Sequence, residues 1–241
     1  MKINYKKFNQ IGKYRFIANF IIVAILITLV AITTTSNYSY VFNYENENVI
    51  YNGNKNSDKV SLMINVYWGD EYLDGILEIL SEYNIKTTFF VGGSWVKNDE
   101  KYMKKIIEYG HEIGNHGYFH KDQDKLNYDQ NHEEIQANHN LVKVLYGINM
   151  TLFAPPSGAY NKSTIEAAQA LGYTTIMWSK DTIDWRDHDA NLILKRATNN
   201  VKGGDLILMH PTAETLKALP SILEYYKMNS LKATTVSDCL K

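Results

Sequence analysis

Residues 106–120, IIEYGHEIGNHGYFH, combine the end of an amphipathic helix, a glycine, a short apolar segment and a pair of histidines. Gly110 follows the apolar helix positions, where helices commonly end. The segment after it has the length and boundaries of a strand. A helix that leads directly into a strand is one unit of an alternating α/β fold, and it leaves His116 and His120 beyond the strand's carboxyl end.

The same alternation continues on both sides of this stretch. Hydrophobic period, caps and breakers predict strands at residues 60–68, 86–93, 111–116, 151–158 (broken by Pro155-Pro156), 173–179, 205–211 and 232–236. The same signals predict helices at residues 71–84, 97–110, 128–146, 162–171, 189–200 and 214–228. Strands joined through helices form a parallel sheet. About seven β/α units in roughly 180 residues predict a compact or incomplete barrel, with an open doubly wound sheet as the alternative.

The N-terminal segment predicts a membrane anchor. Residues 1–15 are basic and contain no acid, and the run FIANFIIVAILITLVAI that follows is uncharged. This run is slightly short of the roughly 20 apolar residues that span a bilayer comfortably. The predicted organisation is a cytoplasmic arm (1–15), a single-pass transmembrane anchor (16–33), a polar tether (34–59) and an extracytoplasmic domain (60–241). A cleaved signal peptide is the alternative, although no clear A-x-A site follows.

Composition argues against several classes of partner. The formal net charge of −1 provides no general attraction to nucleic acid. No glycine-rich phosphate loop follows the first strand, so a nucleotide cofactor is not expected. The single cysteine, Cys239, cannot form an internal disulfide, and its position near the end favours an inert tail residue.

Acids and histidines follow several predicted strands, whose carboxyl ends meet at one edge of a parallel sheet. His116 and His120 could bind a divalent cation there through neutral imidazole nitrogens, whereas surface placement is the alternative. His210 ends an apolar strand and is a candidate proton donor or acceptor, unless it is simply packed. Asp181 and Asp184 follow another strand, where acids also occur as helix caps or solvated loop residues.

Aromatic residues fall near the same strand ends. Aromatic faces suit the apolar C–H surfaces of sugar rings, although core packing explains most aromatic side chains. The residues expected to line a groove are Trp68, Tyr118, Tyr160 and Trp185.

Taken together, the motifs resemble the NodB-type polysaccharide deacetylases, metal-dependent amide hydrolases that remove N-acetyl groups from cell-wall glycans. The similar segments are KTTFFVGGSW, IIEYGHEIGNHGYFH, FAPPSGAYN, WSKDTIDW and DLILMHPT, in order, within residues 60–240. The Trp-Gly-Asp-Glu turn after the first strand is most similar to the sporulation-type branch. The resemblance implies a distorted (β/α)7 barrel.

The resemblance also implies roles for individual residues. His116 and His120 would be metal ligands, with zinc as the expected metal, and His210 would protonate the leaving amine. Asp181 would orient that histidine. The loop that contains Pro155 and Pro156 would form one wall of the groove. A metal that polarises the acetyl carbonyl, a carboxylate base and a histidine acid together account for the family reaction.

Three positions depart from the family pattern. Asn65 replaces the aspartate base, and an amide does not accept a proton at neutral pH. Ala154 replaces the arginine that pairs with this base, and the two losses are linked because the arginine would otherwise lack its partner. Val66 occupies the position of the metal aspartate, which leaves Asp70 as the nearest acid that could ligate, with a solvated turn or a helix cap as the alternative.

These features support three hypotheses. The first is a weakened polysaccharide de-N-acetylase in which Asp70, Glu71 or Asp181 covers part of the lost base function. The second is a catalytically inactive glycan-binding or scaffolding protein. The third is an anchored α/β domain with a vestigial site and no metal.

Overall fold

The computed structural model describes residues 19–24 and 49–241. Residues 19–24 form a short helical segment with exposed apolar side chains, and they are the only part of the predicted anchor (16–33) within the described ranges. The basic arm and residues 34–48 of the tether lie outside those ranges. Among the described residues, no helix has the length and apolar character needed to cross a membrane.

Residues 49–241 form a curved sheet of nine strands with helices between them. The strands are β1 (Val49–Ile50), β2 (Lys59–Val66), β3 (Thr88–Val91), β4 (Glu112–Asn115), β5 (Leu152–Phe153), β6 (Thr174–Ile176), β7 (Lys180–Asp181), β8 (Leu206–Met209) and β9 (Lys232–Thr234). Their order is β1-β6-β5-β4-β3-β2-β8-β7, with β9 also beside β2, and all of these pairs are parallel. The sheet is an incomplete parallel barrel, which confirms the predicted fold class.

The connecting helices follow the predicted alternation. They are α1 (Asp70–Glu82), α2 (Gly93–Asn98), α3 (Glu100–Glu108), α4 (Tyr128–Tyr146), α5 (Lys162–Ala170), α6 (Ala190–Thr198), α7 (Ala213–Met228) and α8 (Val236–Cys239). The predicted bounds of α4 agree with the structure at both ends, because a capping box between Asn127 and Gln130 starts it and Gly147 ends it at φ +72°. The predicted helix at 97–110 is instead two helices separated at Asp99.

The alternation of side chains along β2 separates the two cores and positions the site. The buried apolar residues form two clusters. Val60, Leu62 and Ile64 pack into the larger hydrophobic cluster, which includes buried helix residues. Met63 packs with Phe90 into a smaller one, which we call the inner cluster. Successive strand residues point to opposite faces. Asn65 therefore shares the inner face with Met63, at the carboxyl end of the strand.

The domain begins earlier in the chain than the sequence analysis predicted. Residues 49–59, expected to belong to the tether, contribute β1, which pairs with β6. An isolated antiparallel bridge then joins Asn52 to Asp205, and the backbone N–H of Asn54 donates to the carbonyl of Cys239 at 2.8 Å. A strand of two residues has no detectable period, so only tertiary pairing reveals it.

Cys239 is a core residue rather than the expected tail residue. Its side chain is fully buried in the inner cluster with Met63 and Phe90. Burial raises the pKa of the Cys239 thiol to about 11, since the thiolate would lose its hydration. The thiol is therefore kept protonated and serves as a small apolar side chain.

Gly69 is required where the chain after β2 approaches Pro211. Its φ is +87°, and a Cβ built there would lie 2.0 Å from the carbonyl oxygen of Pro211. We expect Gly69→Ala to lower the free energy of unfolding by about 2 kcal/mol or more, through backbone strain and displacement. Gly147→Ala is the matched control, because Gly147 has φ +72° but no neighbour within 4 Å, and should cost about 1 kcal/mol. Urea denaturation measures both losses, and equal losses for the two variants would show that the contact with Pro211 is not the cause.

His111 makes stability depend on pH. Its Nδ1 accepts a hydrogen bond from the Thr87 backbone N–H at 3.2 Å, and burial, helped by the charge of Lys86, lowers its pKa from 6.5 to about 4. The folded state therefore binds fewer protons than the unfolded state between these values. The contribution of His111 to the free energy of unfolding is therefore fully present above pH 6.5. It decreases as the pH falls toward 4, by at most about 1.4 kcal/mol per pH unit. We expect His111→Gln to reduce this slope in urea titrations, and a parent and variant with the same slope would contradict the assignment.

Candidate active site

A cavity of about 360 Å³ lies at the carboxyl ends of the strands. Its lining comes from the ends of six strands (β2, β4, β5, β6, β7 and β8) and the loops that follow them. All but one of the lining side chains are polar or aromatic, and the exception is Leu208: Asn65, Tyr67, Trp68, His116, His120, Ser157, Trp178, Asp181, Trp185, Leu208 and His210. We call this cavity the pocket. It brings together His116, His120, His210, Asp181 and Asn65, as the sequence predicted for a site at this edge.

His116 is fixed by the neighbouring strand. It follows β4, and its Nδ1 lies 2.7 Å from the carbonyl oxygen of Ala154, so Nδ1 carries the proton and Nε2 keeps its lone pair. Burial, together with the nearby His120, lowers the pKa of His116 to about 3. A neutral imidazole of this tautomer has the form that binds metal ions.

His120 lies beside His116 in a strained backbone conformation. The two ring centroids are 5.0 Å apart, and His120 has φ +55°. Burial lowers the pKa of His120, as it does for His116. A left-handed conformation costs free energy for a residue other than glycine, so the surrounding contacts must hold the turn.

Glu134, on α4, holds that turn and was not identified from the sequence. Its Oε2 accepts hydrogen bonds from the backbone N–H groups of Tyr118 and Phe119 at 3.1 and 2.8 Å, and its Oε1 lies 2.8 Å from Lys121 Nζ. Only 4% of Glu134 is exposed, which is unusual for an acid. It is a positioning residue for the segment between the two histidines.

Asp184, and not Asp181, orients His210. Asp184 Oδ1 lies 2.8 Å from His210 Nδ1, and Oδ2 accepts from the His210 backbone N–H at 2.6 Å and from Thr215 Oγ1 at 2.6 Å. The carboxylate is almost completely buried. It therefore keeps the proton of a neutral His210 on Nδ1 and leaves a lone pair on Nε2.

Asp181 lies in the pocket but makes a local contact. Its Oδ1 accepts a hydrogen bond from the Ile183 backbone N–H at 2.7 Å. Burial raises the pKa of Asp181, partly offset by that bond and by His210. Its expected role of orienting His210 was wrong because Asp184, three residues further on, reaches the imidazole directly.

Asn65 occupies the position of the missing base. It lines the pocket with 4% of its surface exposed, and its Oδ1 has no hydrogen-bond partner within residues 49–241. Val66 packs into the larger hydrophobic cluster on the other face of β2. Ala154 is fully buried in the inner cluster. The pocket therefore contains neither a carboxylate at position 65 nor an arginine at position 154.

The structure does not bring Asp70 to the two histidines. Asp70 begins α1, and its Oδ1 accepts a hydrogen bond from Trp95 Nε1 at 2.5 Å, outside the lining of the pocket. Asp70 also raises the pKa of Asp99, an effect second to that of burial. Across residues 19–24 and 49–241, no three His, Cys, Asp or Glu side chains are grouped to hold a metal.

A catalytic zinc centre does not fit these donors. Such centres use three protein ligands and leave one position for water or substrate. His116 and His120 supply two imidazoles, and Asp70 is engaged with Trp95. We therefore assign no step of a reaction to a metal.

Two of the predicted groove residues line the pocket. Trp68 stacks on His210 with ring centroids 5.6 Å apart and planes 7° apart, and Trp68 and Trp185 are each about half exposed. Four others lie outside its lining: Tyr118, Pro155, Pro156 and Tyr160. Pro155 and Pro156 are buried, and the hydroxyl of Tyr160 is 2.5 Å from that of Tyr51.

The sequence matches the polysaccharide deacetylase family over residues 52–176. It is 37% identical over 191 residues to the uncharacterized protein YlxY of Bacillus subtilis, covering 79% of this chain and 60% of that protein. It is 31% identical over 165 residues to the peptidoglycan-N-acetylglucosamine deacetylase PgdA of Listeria monocytogenes, covering 68% of this chain and 35% of the relative. The chain thus spans only part of the curated relatives that it matches.

The structure is similar to that of BA3943 of Bacillus anthracis, a CE4 family pseudoenzyme. The TM-score is 0.78 at 35% identity, covering 80% of this chain and 69% of that chain. A BA3943 mutant with restored enzymatic activity is similar as well, with a TM-score of 0.78 at 34% identity, covering 80% of this chain and 71% of that one. The family match, the relatives and the arrangement of the pocket agree. The chain belongs to the polysaccharide deacetylase family, a family of hydrolases.

Proposed function

We propose that this protein binds N-acetylated cell-wall glycan in the pocket and hydrolyses its acetamido groups only weakly. The observation that carries the proposal is the division of the pocket into two halves. The acid half is intact, because Asp184 holds His210 at 2.8 Å beneath the exposed ring of Trp68. The base half is absent, because position 65 is a neutral amide.

The surviving half suits the departure of an amine. With its Nδ1 proton held by Asp184, His210 could accept a proton from the attacking water at Nε2 and pass that proton to the leaving nitrogen. Water would have to attack without a positioned carboxylate at residue 65, and losing a general base typically costs about 10²- to 10⁴-fold in rate. The side chains of Trp68 and Trp185 provide the aromatic faces that stack on sugar rings. Binding should therefore survive better than turnover.

A glycan-binding protein without turnover is the second candidate. It is favoured by the joint loss of the base, its arginine partner and the third metal ligand at Asn65, Ala154 and Val66. The likeness to a CE4 family pseudoenzyme supports the same interpretation. The two candidates share the binding site and differ in acetate release.

Binding of a divalent metal, with zinc as the predicted species, belongs to the proposal only in a weakened form. His116 and His120 can supply two imidazole nitrogens, one ligand fewer than a catalytic zinc site uses. We expect sub-stoichiometric zinc after dialysis of the full chain, measured by elemental analysis. Stoichiometric zinc that resists dialysis would contradict the two-ligand interpretation.

The proposed location is the outer face of a cell membrane, with an N-terminal anchor and a cytoplasmic basic arm. The uncharged run at residues 16–32 after a basic segment supports this arrangement. Membrane fractionation and protease accessibility of a C-terminal tag on intact cells would test it. If protease removes the tag only after lysis, the C-terminal domain is cytoplasmic and the proposed orientation is wrong.

Glycan binding and acetate release by the full chain test the function. Chitotetraose binding is measured by calorimetry, and acetate release is compared with that of His210→Ala. Binding with release above that variant supports the weak hydrolase. Binding with equal release supports the non-enzymatic candidate, and a parent that neither binds nor releases acetate contradicts both.

A further inference from the structure

Asn65 places a neutral hydrogen-bonding group in the lining of the pocket. We propose that it makes the pocket selective for the N-acetylated glycan over its de-N-acetylated form, so that the protein distinguishes the acetylation state of the polymer. This inference rests on the proposed glycan binding. It adds that the residue replacing the base has a positive role in recognition.

The first argument is the unpartnered oxygen of Asn65. Its side chain is 4% exposed, and Oδ1 has no partner among the described residues. A buried polar atom without a partner costs about 1–3 kcal/mol. A ligand that supplies a donor to this oxygen recovers the cost, so the pocket favours a ligand with an N–H group.

The second argument is the match between two amides. An acetamido group has one N–H donor and one carbonyl acceptor, and the Asn65 carboxamide has both complementary functions. A carboxylate at the same position would only accept. Leu208 and Trp178, which also line the pocket, offer apolar surface to the acetyl methyl group.

The third argument is charge. De-N-acetylation leaves a primary amine, which is largely protonated at about pH 6.5. Three imidazoles line the pocket, from His116, His120 and His210, and Asp181 is the single carboxylate in its lining. The buried carboxylate of Asp184 is already bonded to His210 and Thr215. An ammonium group in this pocket would have Asp181 as its one carboxylate neighbour in the lining and no charged partner at position 65, so its transfer from water is more costly than that of a neutral acetamido group.

Binding of two probes by matched variants tests the inference. The probes are chitotetraose and its fully de-N-acetylated counterpart, titrated at pH 6.5 with chelator present into the full-length parent, Asn65→Asp, Asn65→Leu and Asn191→Asp. Asn191 is exposed on α6 and outside the pocket, so Asn191→Asp adds the same charge elsewhere. Thermal melts verify that each variant is folded.

We expect the parent and Asn191→Asp to prefer the acetylated probe by about tenfold or more. Asn65→Leu should bind the acetylated probe about tenfold more weakly without gaining affinity for the amine. Asn65→Asp should lose the preference, since its carboxylate attracts the ammonium groups. Folded Asn65 variants that keep the parental preference would overturn the inference while leaving glycan binding intact. A parent that binds neither probe would contradict the proposed function itself.

Discussion

The double substitution Asn65→Asp with Ala154→Arg should raise acetate release from chitotetraose by about 10²- to 10⁴-fold over the parent. Aspartate supplies the missing proton acceptor on the inner face of β2, where Asn65 lines the pocket next to the retained His210–Asp184 pair. Arginine supplies the charge that keeps this buried carboxylate ionised. The rate of acetate release by the full chain is the measurement.

Both substitutions are needed for the full effect. Asn65→Asp alone would leave a carboxyl group in a buried position without a protein cation beside it, which raises its pKa and lowers the ionised fraction that can accept a proton from water. Ala154→Arg alone would bury an unpaired guanidinium against the inner cluster and should destabilise the domain. His210→Ala in the double variant is the control and should remove most of the gained activity. A parent that already equals the double variant would show that Asn65 is not the limiting residue.

Replacing Asp184 by asparagine should lower the free energy of unfolding by about 2–4 kcal/mol. Its two oxygens accept three hydrogen bonds, from the backbone N–H and Nδ1 of His210 and from Thr215 Oγ1. An amide has one acceptor oxygen, so at least one of these buried donors would face an NH2 group. Urea denaturation measures the loss.

Asp187→Asn is the matched control on the same loop. Asp187 pairs with Arg186 and Arg196 near the surface, where solvent screens ion pairs, so its replacement should cost clearly less. In the double Asn65/Ala154 variant, Asp184→Asn should also reduce acetate release, because His210 loses the group that selects its tautomer. Similar stability losses for both aspartates would contradict the buried role of Asp184.

The elements with strong local signals were predicted well. Helix α4 has a capping box at its start and a left-handed glycine at its end, and these local interactions determine both bounds. The segment at 151–158 is predicted as a strand broken by Pro155 and Pro156, and the paired part, Leu152–Phe153, ends before these prolines, which cannot continue a strand. Sheet pairing of short segments depends on neighbours distant in sequence, which no local pattern contains.

In the candidate site, too, some features were predictable from the sequence and others depended on tertiary contacts. His116, His120 and His210 were predicted together because parallel strands deliver their carboxyl ends to one edge, and the pocket contains all three. The choice between Asp181 and Asp184 could not be made from spacing, since both follow the same predicted strand at residues 173–179. The backbone path after β7 decides which carboxylate reaches His210.

The sequence by itself determined the alternating α/β class, the family motifs and the identity of the residue that replaces the base, because these follow from residue type, period and order. Tertiary structure decided that Asp184 holds His210, that Asp70 bonds Trp95 instead of joining the histidines, and that residues 49–59 complete the sheet. The physical reason is that hydrogen bonds and pairings of this kind act over a few ångströms between residues far apart in the chain. Only the folded backbone specifies which of several suitable side chains lies within that distance.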